Sequence, residues 1–289
     1  MALKNIEQSF VTELGVLYPQ NEAQHIWYLV IESLTGMNLR NNPDQRFTPD
    51  PCYIKMLAEI KKRLLKAEPV QYILNEAWFY DIPFYVDKNV LIPRPETEEL
   101  ADRIIREYRN RQPLRVLDIG TGSGCIPVIL KRKLPQATVS ACDVSPGALK
   151  VARKNAATHG VEIDFKELDI LDERNWEQLQ EVDVLVSNPP YIPETDKTAM
   201  HRNVLDHEPH LALFVPNDDP LLFYRKIAGL AHRILHPQGR IYLEVHEQQA
   251  GATASLYESH GFSAVIQNDL QGKQRFVEAG FKETSGLVL

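Results

Sequence analysis

The stretch SNPPYIPE, residues 187–194, places an asparagine, two prolines and an aromatic ring directly after the apolar run VDVLVS. Prolines donate no backbone hydrogen bond, so Pro189 and Pro190 end the preceding strand rather than extend it. A strand that stops on fixed carbonyls suits one kind of chemistry. A planar nitrogen, in an amide or an aromatic amine, has a delocalised lone pair and is a poor nucleophile. Its NH2 carries two protons, and two fixed acceptors hold both while aiming the lone pair at an electrophile. The Asn188 side-chain carbonyl and the Pro189 backbone carbonyl supply that pair. The prolines stiffen the turn, which leaves little orientation entropy to lose at reaction. Tyr191 is placed to stack on or wall the planar group. In isolation the motif also fits a proline-rich turn with a capping asparagine; its position after the fourth strand of a cofactor-binding sheet favours the chemical reading.

The second candidate site is VLDIGTGSGC, residues 116–125, where Gly120, Gly122 and Gly124 alternate with Thr121 and Ser123 after a buried strand. Glycines let the backbone turn sharply and approach a ligand closely. The spacing differs from the G-x-G-x-x-G of dinucleotide binders, and no Lys-Ser/Thr follows as in a phosphate loop. Asp143 ends ATVSACD, 19 residues after Gly124, where an acid accepts from ribose hydroxyls; a helix cap is the alternative. Asp169 holds the equivalent place on the next strand, suited to an adenine amino group. Trp176, in the loop beyond, is a candidate cover for the purine, with simple packing as the alternative. Two acids and a glycine loop without a phosphate-binding cation point to a nucleoside cofactor that lacks phosphates. S-adenosylmethionine is the common one, and Asn188 would border both it and the methyl acceptor.

The elements that must position these residues follow from periodicity and breakers. Residues 1–75 read as a small helical domain: one helix ends at Gly36, a C-cap, and another starts at Asp50-Pro51. Residues 76–95 read as a β-hairpin joint, broken near 81–83, leading into a helix that ends near Arg109. Residues 96–289 form the larger domain. Strands RVLDI, ATVSACD, EIDFKEL, VDVLVS and RIYLEV alternate with helices after Gly124 and over 146–159, 220–235 and 247–260. That alternation predicts an α/β, Rossmann-like fold with a mostly parallel sheet covered on both faces. The tail FSAVIQNDLQGKQRFVEA predicts an antiparallel hairpin at one sheet edge.

The bulk properties narrow the class. The chain of 289 residues is long enough for about two domains. Its formal charge of −7 argues against a large nucleic-acid footprint, which needs a basic face. Cys52, Cys125 and Cys142 have no metal-type spacing and read as reduced thiols in a cytoplasmic protein. The opening MALKNIEQSF lacks an apolar core and no run reaches membrane-spanning length, so neither a signal peptide nor a membrane span is expected. His201, His207 and His210 lie near one another but lack partner cysteines, so no metal is expected. Their segment reads as a loop over the substrate pocket, shaped by Glu208 and Pro209.

On these residues the chain resembles the HemK/PrmC-type glutamine methyltransferases that modify peptide-chain release factors. The resemblance covers nearly the whole chain and is carried by EPVQYILNEAWFYDIPFYVDKNVLIPRPETEEL, VLDIGTGSGC, VSNPPYIPE, HEPHLALF and DLQGKQRFVEA. The glycine loop is shared widely and Asn-Pro-Pro-Tyr by several amine and amide methyltransferases; the combination with LIPRPETEEL is more specific. A sister family acting on a ribosomal protein carries Ser-Pro where this chain has Pro95-Glu96.

The resemblance implies a helical N-terminal domain that helps dock class 1 release factors and an S-adenosylmethionine-dependent methyltransferase domain. The acceptor would be the glutamine of the Gly-Gly-Gln loop, with S-adenosylhomocysteine as the product. It further implies that residues 120–124 and Asp143 hold the cofactor, that residues 188–191 hold the glutamine, and that Arg94 and Thr97 close over the pocket. A cytoplasmic monomer without direct nucleic-acid or membrane contact is expected. Cys125 and Pro127 stand where the family has small residues, and EVHEQQ follows the fifth strand in place of Glu-Ile-Gly. An adenine methyltransferase of DNA shares the amine geometry, but base flipping needs a grip on the backbone that an acidic chain lacks. A non-catalytic adaptor has no need of an acceptor clamp.

Overall fold

Helix boundaries in the first part of the chain follow from their caps. The computed structural model describes residues 3–41, 50–111 and 113–282; positions 42–49 and 283–289 of the expected domains lie outside the described residues. Helix α1 (Leu3–Leu14) is followed by α2 (Gln20–Thr35), which Gly36 closes at a φ of 70° with its N–H on the Glu32 carbonyl. Helix α3 (Pro51–Leu64) starts on Asp50, whose carboxylate accepts from the N–H groups of Cys52 and Tyr53 at 2.7 and 3.1 Å. Pro51 sits in the first turn, where its missing N–H costs nothing. After α4 (Val70–Leu74) the first unit ends. Its core joins Phe10, Leu14, Trp27, Val30, Leu57 and Leu64. Met1–Glu76 and Met200–His207 make up this unit, and Ala77–Ala199 with Glu208–Leu289 the second.

The second unit opens with a tight hairpin, β1 (Ala77–Phe79) and β2 (Ile82–Phe84). Its turn residues Tyr80 and Asp81 have φ of 54° and 60°, the paired positive values of a two-residue type I′ turn. Phe79 and Phe84 are fully buried with Leu100 and Ile104 of α5 (Pro95–Tyr108). The hairpin thus packs into the core of the second unit.

The alternation continues with β3 (Arg115–Ile119), α6 (Cys125–Lys133), β4 (Thr138–Asp143), α7 (Pro146–Thr158), β5 (Asp164–Glu167) and β6 (Val182–Ser187). Then come the short β7 (Ile192–Pro193), α8 (Arg202–Leu205) in the first unit, and β8 (Phe214–Val215), paired with β7. Helix α9 (Leu222–Ile234), β9 (Leu235–Glu244), α10 (Ala250–Ser259), β10 (Phe262–Asn268) and β11 (Gln274–Phe281) complete the chain. The main sheet has the order β10-β11-β9-β6-β3-β4-β5. Strands β5, β4, β3, β6 and β9 are parallel, while β11 runs antiparallel to both β9 and β10.

Successive strand residues feed two apolar layers. Leu117, Leu185, Ile241 and Leu243 join the layer of α9 and α10, whereas Val116, Val184, Val186 and Tyr242 join that of α5 and α6. Burial on both faces is what the near-continuous apolar strands require. The Rossmann-like sheet and its closing hairpin are therefore as the sequence predicts.

One buried side chain ties three segments of this unit together. Asn155 of α7 accepts the Tyr85 N–H at 2.8 Å and donates to the carbonyls of Tyr85 and Ser123, both at 2.9 Å. It joins the chain leaving the hairpin to the glycine loop. Asn155→Ala strips partners from three backbone groups, each costly to leave unpaired. We expect a loss of about 2–4 kcal/mol of unfolding free energy, read as a lower urea midpoint; an unchanged midpoint contradicts this role.

Candidate active site

The glycine loop leaves β3 in a conformation that side chains resist. Gly120, Gly122 and Gly124 have φ of 72°, 54° and 77°. At Gly124, the N-cap of α6, an added Cβ would lie 3.0 Å from the Ala152 Cβ, so the approach of the loop to α7 also requires glycine. Asp143, at the end of β4, accepts the Gly122 N–H on one oxygen and the Ser145 N–H on the other, both at 2.9 Å. Burial raises its carboxyl above the usual range, and those N–H groups oppose the shift. A carboxylate has about four lone-pair directions, so Asp143 keeps acceptor capacity for a ligand. The cap of α7 is instead Ser145, whose hydroxyl accepts from Ala148.

A single cleft at the carboxyl ends of the strands gathers most of the sequence-predicted residues. Gly120, Thr121, Gly122 and Ser123 line it, as do Asp143 and Asp169. Asn188, Pro189 and Pro190 form another wall, and Arg94 and Thr97 a third. Arg94 is the one Lys or Arg among the described lining residues, and it is occupied: its guanidinium donates to Glu208 at 2.5 Å. Glu208, only 4% exposed, also accepts the Ile92 N–H at 3.2 Å. It thus shapes the cleft wall, as the sequence suggests, while Pro209 lines the cleft directly. Of its three neighbouring histidines, His201 and His207 fall in the first unit and His210 in the second. Among the described residues no group of three or more His, Cys, Asp or Glu side chains is placed to hold a metal.

Asn188 does not stand alone. Its Nδ2 donates to the Thr97 hydroxyl oxygen at 3.1 Å, and that hydroxyl donates to Glu244 Oε2 at 2.7 Å. Burial pushes the Glu244 carboxyl up to about 7, against the Thr97 bond and the nearby Arg275 charge, which lower it. Sequence reasoning overlooked Glu244. The available signal was an acid at the end of the apolar run RIYL.

Two expectations need correction. Trp176 is no purine cover. It is 4% exposed in the core beneath α9, close to Gly229, and its Nε1 donates to the Ile170 carbonyl at 2.9 Å. That bond satisfies the indole and turns the ring inward, away from the cleft. Tyr191 likewise lies outside the cleft lining. Its ring packs on the core cluster and its hydroxyl donates to Glu244 Oε1 at 3.4 Å, while Gln249 Nε2 holds its backbone carbonyl at 3.2 Å. The tyrosine supports the motif from behind.

Comparison with known proteins places the chain in a family. Residues 100–212 match the methyltransferase small domain family. The fold resembles a methyltransferase structure from Pyrococcus furiosus at a TM-score of 0.51 and 17% identity, covering 78% of this chain and 98% of that one. The matched family domain is that of methyltransferases. Full-length relatives narrow the class. The chain is 40% identical over 289 residues to the release factor glutamine methyltransferase of Flavobacterium psychrophilum, covering 98% of this chain and 100% of that one. It is 41% identical over 265 residues to the one from Bacteroides thetaiotaomicron, covering 91% and 94%. The chain belongs to the release factor glutamine methyltransferase family.

The geometry at Gly124 gives a direct check on the loop. Gly124→Ala combines a positive φ with a contact that real Cβ atoms avoid. It should cost about 1–3 kcal/mol of stability, measured by urea unfolding. A variant as stable as the parent would show that the loop is not held this tightly.

Proposed function

We propose that this protein transfers a methyl group from S-adenosylmethionine to the side-chain amide nitrogen of the glutamine in the Gly-Gly-Gln loop of class 1 peptide chain release factors. One observation carries the reading: Asn188, Pro189 and Pro190 line the same cleft as the glycine loop, Asp143 and Asp169.

The donor set fits this cofactor. The Thr121 and Ser123 hydroxyls and the Asp118 carboxylate are buried without a well-formed hydrogen bond, although buried polar groups normally find one. Burial, opposed by the nearby Thr121 hydroxyl, pushes the Asp118 carboxyl up to about 7. The cleft therefore offers acids and hydroxyls to a ligand, while its one described lining cation is taken by Glu208. Such a site favours a cationic nucleoside and disfavours a phosphate. Asp143 would accept from the ribose and Asp169 from the adenine amino group. When bound, the cofactor supplies an electrophilic methyl group on a positively charged sulfur.

The chain's own contribution is to hold the acceptor. Asn188 Oδ1 and the Pro189 carbonyl accept the two amide protons, which fixes the NH2 plane and presents the nitrogen to the methyl group. The nitrogen becomes acidic only as the new bond forms, so its proton can pass to water without a strong general base. Arg94 and Thr97 complete the wall beside Asn188. The first unit would help dock the release factor, in a cytoplasmic and monomeric protein. No described helix is long and apolar enough to cross a membrane.

Incubation with labelled S-adenosylmethionine and a purified release factor, followed by peptide mapping, should place the methyl on the Gly-Gly-Gln glutamine. Label on DNA or a ribosomal protein, with that glutamine unlabelled, overturns the substrate assignment. Asn188→Ala should lower kcat at least about a hundredfold while cofactor affinity stays within a few-fold. Asp143→Ala should do the reverse, weakening cofactor binding about tenfold or more by calorimetry. Unchanged affinity in that variant would rule out the ribose contact.

A further inference from the structure

Asparagine amides have two ends of nearly equal size and opposite hydrogen-bonding character. Only one orientation of Asn188 presents a carbonyl to the cleft; the other presents an NH2, which would meet the NH2 of an acceptor donor to donor. Something must choose between them. Glu244 is 2% exposed, its Oε2 accepts the Thr97 hydroxyl, and the Thr97 oxygen accepts from Asn188 Nδ2.

We propose that Glu244 and Thr97 are positioning residues that fix which way round the Asn188 amide sits, and so restrict the acceptor site to groups that bring an NH2. The proposal deepens the reading of Asn188 as the acceptor clamp and rests on it.

Donor accounting makes the choice. A carboxylate only accepts hydrogen bonds, and Thr97 has a single hydroxyl proton. At 2.7 Å that proton is committed to Glu244, which leaves the Thr97 oxygen with lone pairs alone to offer. Asn188 must meet it with a donor, so its NH2 turns to Thr97 and its carbonyl faces the other way. The flipped amide would set two acceptor oxygens against each other at the 3.1 Å separation now spanned by a hydrogen bond. The commitment also survives protonation of Glu244 on Oε1. A proton on Oε1, the oxygen facing the Tyr191 hydroxyl, leaves Oε2 free to accept from Thr97. Tyr191 and Gln249 brace the same assembly, since the Gln249 amide holds the Tyr191 carbonyl at 3.2 Å. The chain of bonds thus passes information about polarity, from an accepting oxygen of Glu244 to an amide that must not present its donor.

The test separates polarity from packing. Thr97→Val keeps the shape and removes the hydroxyl; Thr97→Ser keeps the hydroxyl. In the full-length protein, Thr97→Val should lower kcat about tenfold with S-adenosylmethionine affinity within about twofold, and Thr97→Ser should restore most of the rate. Should valine crowd the site, Thr97→Ala carries the same expectation. Because the effect passes through Asn188, adding Thr97→Val to Asn188→Ala should cost nothing further in residual single-turnover rate.

A second readout needs no substrate. In nitrogen-15 spectra the Asn188 side-chain NH2, assigned by its loss in Asn188→Ala, should exchange slowly in the parent and Thr97→Ser and faster in Thr97→Val. Parental kcat in Thr97→Val, equal losses in the valine and serine variants, additive losses in the double variant, or identical exchange in all of them would each overturn the proposal. If the exchange pattern holds but release factors are not methylated, the relay stands and the acceptor assignment falls.

Discussion

Parallel pairing of β3 with β6 is the constraint on which the cleft depends. Ile119 lies level with Ser187, and the Ser187 hydroxyl donates to the Ile119 carbonyl at 2.7 Å. Neighbouring strands are about 4.8 Å apart, so the glycine loop and the Asn-Pro-Pro turn begin one strand spacing from each other. Parallel strands also present all their carboxyl ends at one edge, where loops diverge and ligands collect. The two exits are built in opposite ways. After β3 the backbone needs positive φ and uses glycine; after β6 it needs fixed carbonyls and uses proline. A loop that wraps a ligand and a loop that aims one have different backbone requirements.

The buried and half-buried acids at this edge sort by what surrounds them. Taking an ionised carboxylate out of water costs several kcal/mol unless hydrogen bonds replace the lost solvation. Asp143 receives two backbone N–H groups. Glu244 receives two hydroxyls, from Thr97 and Tyr191. Glu208 receives a guanidinium and an N–H. Asp118 receives no well-formed bond, and burial drives its carboxyl up to about 7. The acids with partners hold the walls of the cleft in place. Asp118 is fully buried and outside the cleft lining, whereas Thr121 and Ser123 line the cleft with hydroxyls that lack a well-formed bond and so leave polar demand there for a ligand to meet.

Much of this was legible in the sequence, for physical reasons. Strand and helix alternation follows from period and length, the glycine loop from conformational need, and a hairpin within 76–95 from aromatic runs around a break, although its strands cover only Ala77–Phe79 and Ile82–Phe84. Side-chain direction in irregular segments was not legible. Trp176 and Tyr191 both stand in or next to loops beside the cleft, and a ring there can turn toward a ligand or toward the core. Each turned inward because its polar tip found a partner there, the Ile170 carbonyl and Glu244. Those partners are 6 and 53 residues away in the chain. Asn155 and Glu244 were missed for a related reason. Each looks like one polar residue in an ordinary helix or strand until tertiary contacts bring three segments around it. The assignment of Met200–His207 to the first unit depends on contacts that no local pattern encodes.

Selectivity can be argued from the sign of each group facing the acceptor. On the proposed reading, Asn188 Oδ1 and the Pro189 carbonyl are both acceptors. A hydroxyl brings one proton and leaves one of them unpaired; a carboxylate brings none and adds repulsion; an NH2 satisfies both. An unpaired buried acceptor costs roughly 1–3 kcal/mol, about one to two orders of magnitude in rate, and it is paid at the reacting atom. That excludes oxygen nucleophiles but not the exocyclic amine of a nucleobase, which also brings two protons. The further discrimination is electrostatic. A polynucleotide must be gripped by its phosphates, and this cleft has one lining cation among the described residues, already paired with Glu208, in a chain of net charge −7. On the proposed reading the acceptor geometry favours an NH2 group, and the charge balance argues for protein over nucleic acid.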